Sequence, residues 1–237
     1  MAKLRALLLV GGPAYHNQPF HYAELAGILV GESGADLRIT DDLTALNSQE
    51  LAQYQVIVNW STFLSPTAGQ VDALLAAVEG GTGFLGIHGA SATFWNSVPY
   101  LELLGSRFNR HDPYKEFTVQ IDDRSHPIVE GVDDFTTEDE LYELNGGSDE
   151  FRALADGIAQ GMKVGAAREA ANQVGEGPLP ANVHVLASAE GHPLLYVKTF
   201  GKGRIHYNAL GHDLKSLTHP SFRRLIVQGL NWVAAQG

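Results

Sequence analysis

Residues 81–90 read GTGFLGIHGA, and they mark the junction between a helix and a buried strand. Gly81, Gly83 and Gly86 spell G-x-G-x-x-G, which is the pattern of a dinucleotide-binding loop. Such a loop must follow a strand and open a helix, because amides at the start of the helix face the pyrophosphate. Here a helical pattern precedes the glycines and an apolar run follows them. The stretch therefore predicts a turn into a strand and not a cofactor site.

Strand and helix patterns alternate through the first hundred residues. Apolar runs predict strands at Leu4–Val10, Ala35–Thr40, Gln55–Trp60 and Gly83–Ile87. Apolar periodicity predicts a helix at Tyr22–Gly31 and a second one that Ser65 caps and Pro66 opens. This alternation is typical of an α/β fold with a doubly wound parallel sheet.

The rest of the chain contains extended segments, one irregular stretch and a final helix. The predicted strands are Glu116–Ile121, Phe135–Leu144, Val183–Ser188, Leu194–Thr199 and Arg204–Ala209, of which the last two form a hairpin. Residues 145–182 are rich in Gly and Ala and predict an irregular insertion. The closing helix is expected to begin at His219-Pro220. Since neither a repeat nor a linker interrupts the pattern, we expect one domain over residues 1–237.

Composition excludes several classes of function. The 237 residues carry a formal net charge of −11, which disfavours binding to nucleic acid because phosphates are repelled. The chain has no cysteine, so it has no disulfide, no thiolate ligand and no cysteine nucleophile. The apolar run near the start is shorter than a signal peptide or a membrane span requires. We therefore expect a cytoplasmic protein that binds neither membrane nor nucleic acid.

Several histidines lie where predicted strands end. His16, His88 and His212 each follow a strand, and His111 lies in the loop RFNRHD. Because the carboxyl ends of parallel strands meet at one edge of a sheet, these imidazoles are expected to converge. The sequence also places Asp139, Glu140 and Tyr142 together on one short segment.

Neutral imidazole can act as a base, an acid or a metal ligand near pH 7. We predict His88, His212 and Glu140 as catalytic residues. A divalent cation such as Zn²⁺ or Mn²⁺ is the second hypothesis, with His16 and His111 as ligands beside His88 or His212. The chain has no H-E-x-x-H or similarly close spacing, so acid/base chemistry without a metal stays open.

Aromatic and polar side chains near these histidines are candidates for substrate binding. Tyr15 and Trp95 offer flat faces on which a sugar ring packs, and Asp139 and Tyr142 offer polar groups. The aromatic residues fit equally well in a hydrophobic core. Other histidines have simple structural interpretations: within a strand or before a proline, as for His126, His184, His206 and His219.

Long stretches of the chain resemble the ThuA-like (trehalose utilisation) proteins of the class I glutamine amidotransferase-like superfamily. The stretches that carry the resemblance are GGPAYH, GFLGIHGASATFW, LLGSRFNRHDP, HPIVEGVDDFTTEDELY and GHPLLYVKTFGKGRIHYNALGHD with the following HPSFRRLIVQGLNW. The resemblance implies a flavodoxin-like, doubly wound and mostly parallel sheet with helices on both faces and an added antiparallel hairpin.

The resemblance also bears on function. In true amidotransferases a cysteine nucleophile stands where His88 stands here, and a histidine stands at the position of His212. Because the chain has no cysteine, glutamine hydrolysis through a thioester is excluded. The family name implies a role in the metabolism of disaccharides or oxidised (3-keto) sugars. Together with the histidines, it leads us to expect an enzyme that acts on such a sugar by histidine acid/base chemistry, with or without a metal.

Two alternatives remain open. The first alternative to a sugar-converting enzyme is a non-catalytic sugar-binding or regulatory module that kept the pocket, and the second is a metal-dependent hydrolase of a substrate other than a sugar. The expected partner is a small carbohydrate, and the resemblance is also compatible with a homodimer.

Overall fold

The structure is a computed structural model that describes residues 3–147, 149–163, 166, 169–170 and 177–235. Its strands are β1 (Arg5–Leu9), β2 (Asp36–Thr40), β3 (Val56–Asn59), β4 (Gly83–Ile87), β5 (Arg107–His111), β6 (Lys115–Ile121), β7 (Phe135–Asp139), β8 (Tyr142–Asn145), β9 (His184–Ala189), β10 (His192–Phe200) and β11 (Gly203–Asn208). Its helices are α1 (Pro19–Ala26), α2 (Ser48–Leu51), α3 (Ala68–Glu79), α4 (Val98–Leu104), α5 (Asp149–Ala159), α6 (Leu214–Leu217) and α7 (Pro220–Ala234).

The strands of the main sheet run in the order β2-β1-β3-β4-β11-β10-β9-β6-β7. Neighbouring strands from β2 to β11 are parallel, and the pairs from β11 to β7 are antiparallel. Strands β5 and β8 form a separate antiparallel pair. The α/β fold with helices and a parallel sheet is confirmed, and so is the hairpin, formed by β10 and β11.

Burial explains why the central strands have unbroken apolar sequences. Strands β3 and β4 are buried at every position, and β1 is buried from Ala6 to Leu9. Parallel strands that are covered on both faces need no polar side, so they lose the alternation of a half-exposed strand. Helix α7 contributes its own apolar stripe to the core with Phe222, Leu225, Ile226, Leu230 and Val233.

The glycines of GTGFLGIHGA have structural roles. Gly81 has φ +120° in the turn that follows α3. A Cβ at Gly83 would lie 2.3 Å from the Val233 carbonyl oxygen, because α7 crosses β4 closely there. A Cβ at Gly86 would lie 3.0 Å from Leu104. The turn at Gly81 and the close packing at Gly83 and Gly86 account for the G-x-G-x-x-G pattern. The turn into a strand agrees with the prediction from the order of helix and strand.

The start of α3 differs from the prediction. Ser65 is not the cap: Thr67 accepts from the Gln70 amide, and the Gln70 side chain accepts from the Thr67 amide. This reciprocal capping box satisfies two amides that would otherwise lack partners. Ser65 cannot form one, because the residue three positions later is Ala68 and has no polar side chain.

Within the predicted insertion at 145–182, the structure describes α5 and the residues from 177 onward among others, and residues 148, 164–165, 167–168 and 171–176 lie outside the described residues. Among the residues that are described, no helix is both long and apolar enough for a membrane crossing.

Candidate active site

Four segments reach the site from the carboxyl ends of neighbouring parallel strands. His16 follows β1, Thr62 follows β3, His88 follows β4 directly, and His212 follows β11. Strands β1, β3, β4 and β11 are consecutive in the sheet. Their ends therefore open on one edge, which is where open α/β sheets bind ligands.

His88 stands at a sharp turn. Its φ is +43°, a left-handed conformation that few residues other than glycine adopt, and it begins a 3₁₀ turn over His88–Ala92. The next residue, Gly89, packs against Thr62: a Cβ there would lie 2.1 Å from the Thr62 Oγ1. The strained backbone turns the chain sharply at the end of β4, so that the imidazole projects from the end of the sheet. The nucleophile elbow of α/β-hydrolases presents its nucleophile in the same way.

Glu140 comes from the antiparallel side of the molecule. It lies between β7 and β8, where the chain bends instead of continuing as one strand. The fully buried Asp139 carboxylate causes this bend: its oxygens accept from the Glu140 amide at 2.7 Å and the Gly211 amide at 2.8 Å. Burial raises the pKa of Asp139. Asp139 thus ties the Glu140 segment to the loop that carries His212.

His16, His88, Glu140 and His212 meet in one group, which we call the HHEH group. One ligand atom from each lies within 4.8 Å of the others. Glu140 Oε2 is 3.2 Å from His212 Nδ1, 3.3 Å from His88 Nε2 and 3.9 Å from His16 Nε2. His88 Nε2 and His212 Nδ1 are 3.3 Å apart. His111 Nε2 lies beside the other Glu140 oxygen, at 3.4 Å from Oε1.

Hydrogen bonds fix the tautomers of two imidazoles. His88 Nδ1 donates to the Ala209 carbonyl at 2.8 Å, and His111 Nδ1 donates to the Asp112 carbonyl at 2.6 Å. A carbonyl only accepts, so Nδ1 carries the proton and the neutral ring points the Nε2 lone pair inward. The Tyr142 hydroxyl lies 2.9 Å from His88 Nε2. His16 Nδ1 contacts Thr62 Oγ1 at 2.9 Å, which leaves Nε2 facing Glu140.

The charges of the group are strongly coupled. Burial, together with the neighbouring imidazoles, lowers the pKa of His16 to about 2. Burial opposes ionisation of Glu140, but its contacts with His212 and His88 hold its pKa far below the usual range. Burial also disfavours charge on His212, yet the Glu140 carboxylate raises its pKa. Neutral imidazoles facing a carboxylate would repel it unless a proton or a metal ion lies between them.

The spacing fits a metal ion. Two ligand atoms that each lie about 2.1 Å from a tetrahedral ion are about 3.4 Å apart. The separations among His88, His212 and Glu140 are close to this value, and His16 is slightly farther away. The Ala209 carbonyl holds the far side of the His88 ring and the Thr62 hydroxyl that of the His16 ring, as is usual for metal-binding histidines.

Of the other predicted residues, Tyr142 and Tyr15 contact rings of the HHEH group. Tyr142 is buried, and burial raises its pKa well above the usual value, so its phenol keeps its proton. Tyr15 is half exposed and places its ring 4.8 Å from that of His16. Trp95 is buried, donates to the Ser91 carbonyl and packs on Phe63. The roles of these residues in substrate binding stay predictions.

Histidines outside the site have structural roles. His126 and His219 each accept a hydrogen bond from the backbone N–H two residues later. His126 precedes a short 3₁₀ turn, in line with the turn predicted before its proline, and His219 caps the closing helix, as predicted. His206 is fully buried under α7, and His184 forms a surface pair with Asp123 at 2.8 Å.

Two residues of the site escaped the sequence analysis. Thr62 holds His16, and its position after β3 is the signal that would have found it, since the ends of all parallel strands converge. Tyr114 lies with its ring 5.7 Å from His212. No short-range pattern points to it, because it comes from the loop between β5 and β6.

Comparisons with known proteins agree with this architecture. The family model described as ThuA, trehalose utilisation, matches residues 5–233. A ThuA-like protein from Parabacteroides merdae superposes with a TM-score of 0.74 at 18% identity, over 99% of this chain and 91% of that one. A protein from Salmonella typhimurium that is described as cytoplasmic gives a TM-score of 0.65 at 14% identity, over 96% and 99% of the two chains. No curated protein matches the chain.

Proposed function

Because the chain belongs to the ThuA family, whose description is trehalose utilisation, we propose that it is a carbohydrate-converting enzyme. Its substrate in this proposal is a disaccharide or an oxidised (3-keto) sugar. The observation that carries the proposal is the HHEH group, which brings three imidazoles and one carboxylate together at the carboxyl edge of the sheet. A cytoplasmic location is part of the proposal.

The proposed chemistry begins with a proton beside a carbonyl. In a 3-keto sugar this C–H bond is acidic, and an unprotonated imidazole or Glu140 of the group removes the proton, leaving an enolate. To isomerise the sugar, the hydroxyl on the deprotonated carbon loses its proton and becomes the new carbonyl, while the former carbonyl oxygen and the former carbonyl carbon each take up a proton. To cleave the sugar, the enolate expels the glycosidic oxygen, which leaves with a proton from an imidazolium. A bound Zn²⁺ or Mn²⁺ would supply positive charge at the developing oxyanion.

The residues divide naturally between these tasks. His88 is held by the Ala209 carbonyl and Tyr142, so its inward nitrogen has a fixed direction. His212 is more exposed and has a raised pKa, which favours it as the proton donor. His111, on the outer side of Glu140, faces solvent most among the imidazoles in contact with that carboxylate.

The test is turnover with defined metal content. The protein is stripped with a chelator, reloaded with Zn²⁺ or Mn²⁺, and incubated with trehalose and 3-keto-trehalose while products are followed by NMR. We expect products from the reloaded wild type and from a control His184→Ala variant, whose histidine is on the surface, and none from His88→Ala. Sugar binding without any turnover would favour the binding module, and turnover that persists in His88→Ala would exclude the HHEH group as the catalytic site.

A further inference from the structure

Two exposed tyrosines border the HHEH group. Tyr15 is 52% exposed and its ring lies 4.8 Å from that of His16, while Tyr114 is 38% exposed and its ring lies 5.7 Å from that of His212. The His16 and His212 rings are themselves 4.8 Å apart. The two phenol rings therefore touch adjacent members of the group from the solvent side, where a substrate must enter.

Tyr114 is held in place although it is exposed. Its hydroxyl lies 3.0 Å from Asp213 Oδ2 and 3.2 Å from the Glu138 carbonyl oxygen, both of which accept hydrogen bonds. The Lys215 ammonium lies 5.8 Å from the centre of its ring. An exposed aromatic ring that is already ordered loses little entropy when a ligand packs on it. Nothing in core packing requires this arrangement, because much of the residue faces solvent.

The charges around Tyr114 do not favour an anionic ligand. Lys115 is paired with Asp112 and Glu190, each at 2.9 Å, and Lys215 is paired with Glu138. Asp213 and Glu140 add negative charge on the same side. A phosphate group placed on the Tyr114 ring would meet these carboxylates, and Lys115 and Lys215 are already paired, whereas sugar hydroxyl groups can donate to the carboxylates.

We propose that Tyr114, together with Tyr15, is the stacking platform that binds a neutral sugar ring above the HHEH group and selects it over a sugar phosphate. Aromatic faces pack well against the C–H face of a sugar ring. The carboxylates beside Tyr114 accept hydrogen bonds from the hydroxyl groups of the sugar. This proposal rests on the proposed function, since it assigns the substrate class of the same site.

The experiment compares two probes on the metal-loaded protein. Binding of trehalose and of trehalose 6-phosphate is measured by calorimetry, with saturation-transfer NMR to identify the sugar protons near aromatic rings. We expect wild type to bind trehalose more tightly than its 6-phosphate. Tyr114→Leu should weaken trehalose binding about tenfold, whereas Tyr114→Phe and Tyr114→Trp, which keep an aromatic ring but lose the hydroxyl that orders it, should retain most of the binding.

Controls separate this proposal from the proposed function. Phe20→Leu removes another exposed aromatic ring, one that contacts His21 and lies outside the HHEH group, and it should bind as wild type does. In the turnover assay, Tyr114→Leu should raise KM with kcat largely kept. If KM is unchanged in Tyr114→Leu, or if trehalose 6-phosphate binds more tightly than trehalose, the proposal of a stacking platform is wrong. Neither result would contradict metal-dependent turnover by the HHEH group. Loss of turnover in wild type would instead contradict the proposed function.

Discussion

At the scale of single residues, Gly89 links the turn at His88 to the threonine that positions His16. A Cβ at this position would lie 2.1 Å from Thr62 Oγ1 and 2.9 Å from the Ser61 carbonyl oxygen. We expect Gly89→Ala to displace Thr62, to lower the free energy of unfolding by about 1–3 kcal/mol and to weaken metal binding. Gly69→Ala is the matched control, because nothing lies within 4 Å of a Cβ there. Chemical denaturation measures the free energy of unfolding of both variants, and metal titration measures their affinity for the ion. Equal stability of the two variants would contradict the claim that a Cβ at position 89 displaces Thr62.

Thr62 itself offers a finer test of the ligand geometry. Thr62→Val keeps the shape of the side chain but removes the hydroxyl that contacts His16 Nδ1 at 2.9 Å. Outer partners of ligating histidines typically contribute a factor of about 10–100 to metal affinity, so Zn²⁺ affinity should fall by that order. Thr62→Ser keeps the hydroxyl and should stay near wild type in a chelator competition assay. If both variants bind Zn²⁺ equally, His16 is not held through this contact.

The strand-end rule separates what the sequence could reveal from what it could not. His16, His88 and His212 were predicted because the ends of parallel strands converge, a rule that needs only the order of strands and helices. Thr62 obeys the same rule and could have been predicted from its place after β3. Tyr114 could not, because it contacts a residue 98 positions away and only the folded chain brings the two together.

At the scale of elements, the buried His206 between β11 and α7 predicts how stability depends on pH. Its Nδ1 donates to the Tyr196 carbonyl at 3.0 Å, and Nε2 has no partner among the described residues. Burial lowers its pKa from 6.5 to about 4. Between pH 6.5 and pH 4, His206 is therefore protonated in the unfolded chain but not in the folded chain. The contribution of neutral His206 to the free energy of unfolding is complete above pH 6.5 and is lost as pH falls toward 4.

The cost to folding reaches about 3 kcal/mol at the acid end of this range. Urea unfolding between pH 7.5 and 4 measures it, and His206→Asn should flatten the slope over that interval. The slope is the readout, since the substitution also changes stability at neutral pH. An unchanged slope would assign the acid sensitivity to other groups, such as His16.

The elements themselves were predictable where burial decides them. Unbroken apolar runs identified β1, β3 and β4, because strands covered on both faces have one composition throughout. The segment 135–144 was predicted as one extended stretch, but it divides into β7 and β8. The break depends on the Asp139 carboxylate bonding to Gly211, 72 positions away, and no local pattern encodes that contact. The same break directs Glu140 into the site.

At the scale of the whole molecule, the HHEH group joins four distant parts of the chain, at residues 16, 88, 140 and 212. A ligand that binds only the folded chain adds stability, by about 2.7 kcal/mol when its concentration is 100 times its Kd. For a chain of this size that corresponds to a rise in Tm of about 5–10 °C. We therefore expect Zn²⁺ or Mn²⁺ to raise the Tm and EDTA to reverse the rise.

The ligand set makes this prediction specific. His88→Ala should abolish the shift, because His88 is the innermost ligand and contacts both Glu140 and His212. His184→Ala should preserve it, since that imidazole is paired with Asp123 on the surface. Mg²⁺ should give little shift, because it prefers oxygen ligands and the group offers three nitrogens. A Tm that no divalent cation changes would mean that protons alone balance the charge of Glu140. The imidazole at the end of β4 would then act in proton transfer without a metal.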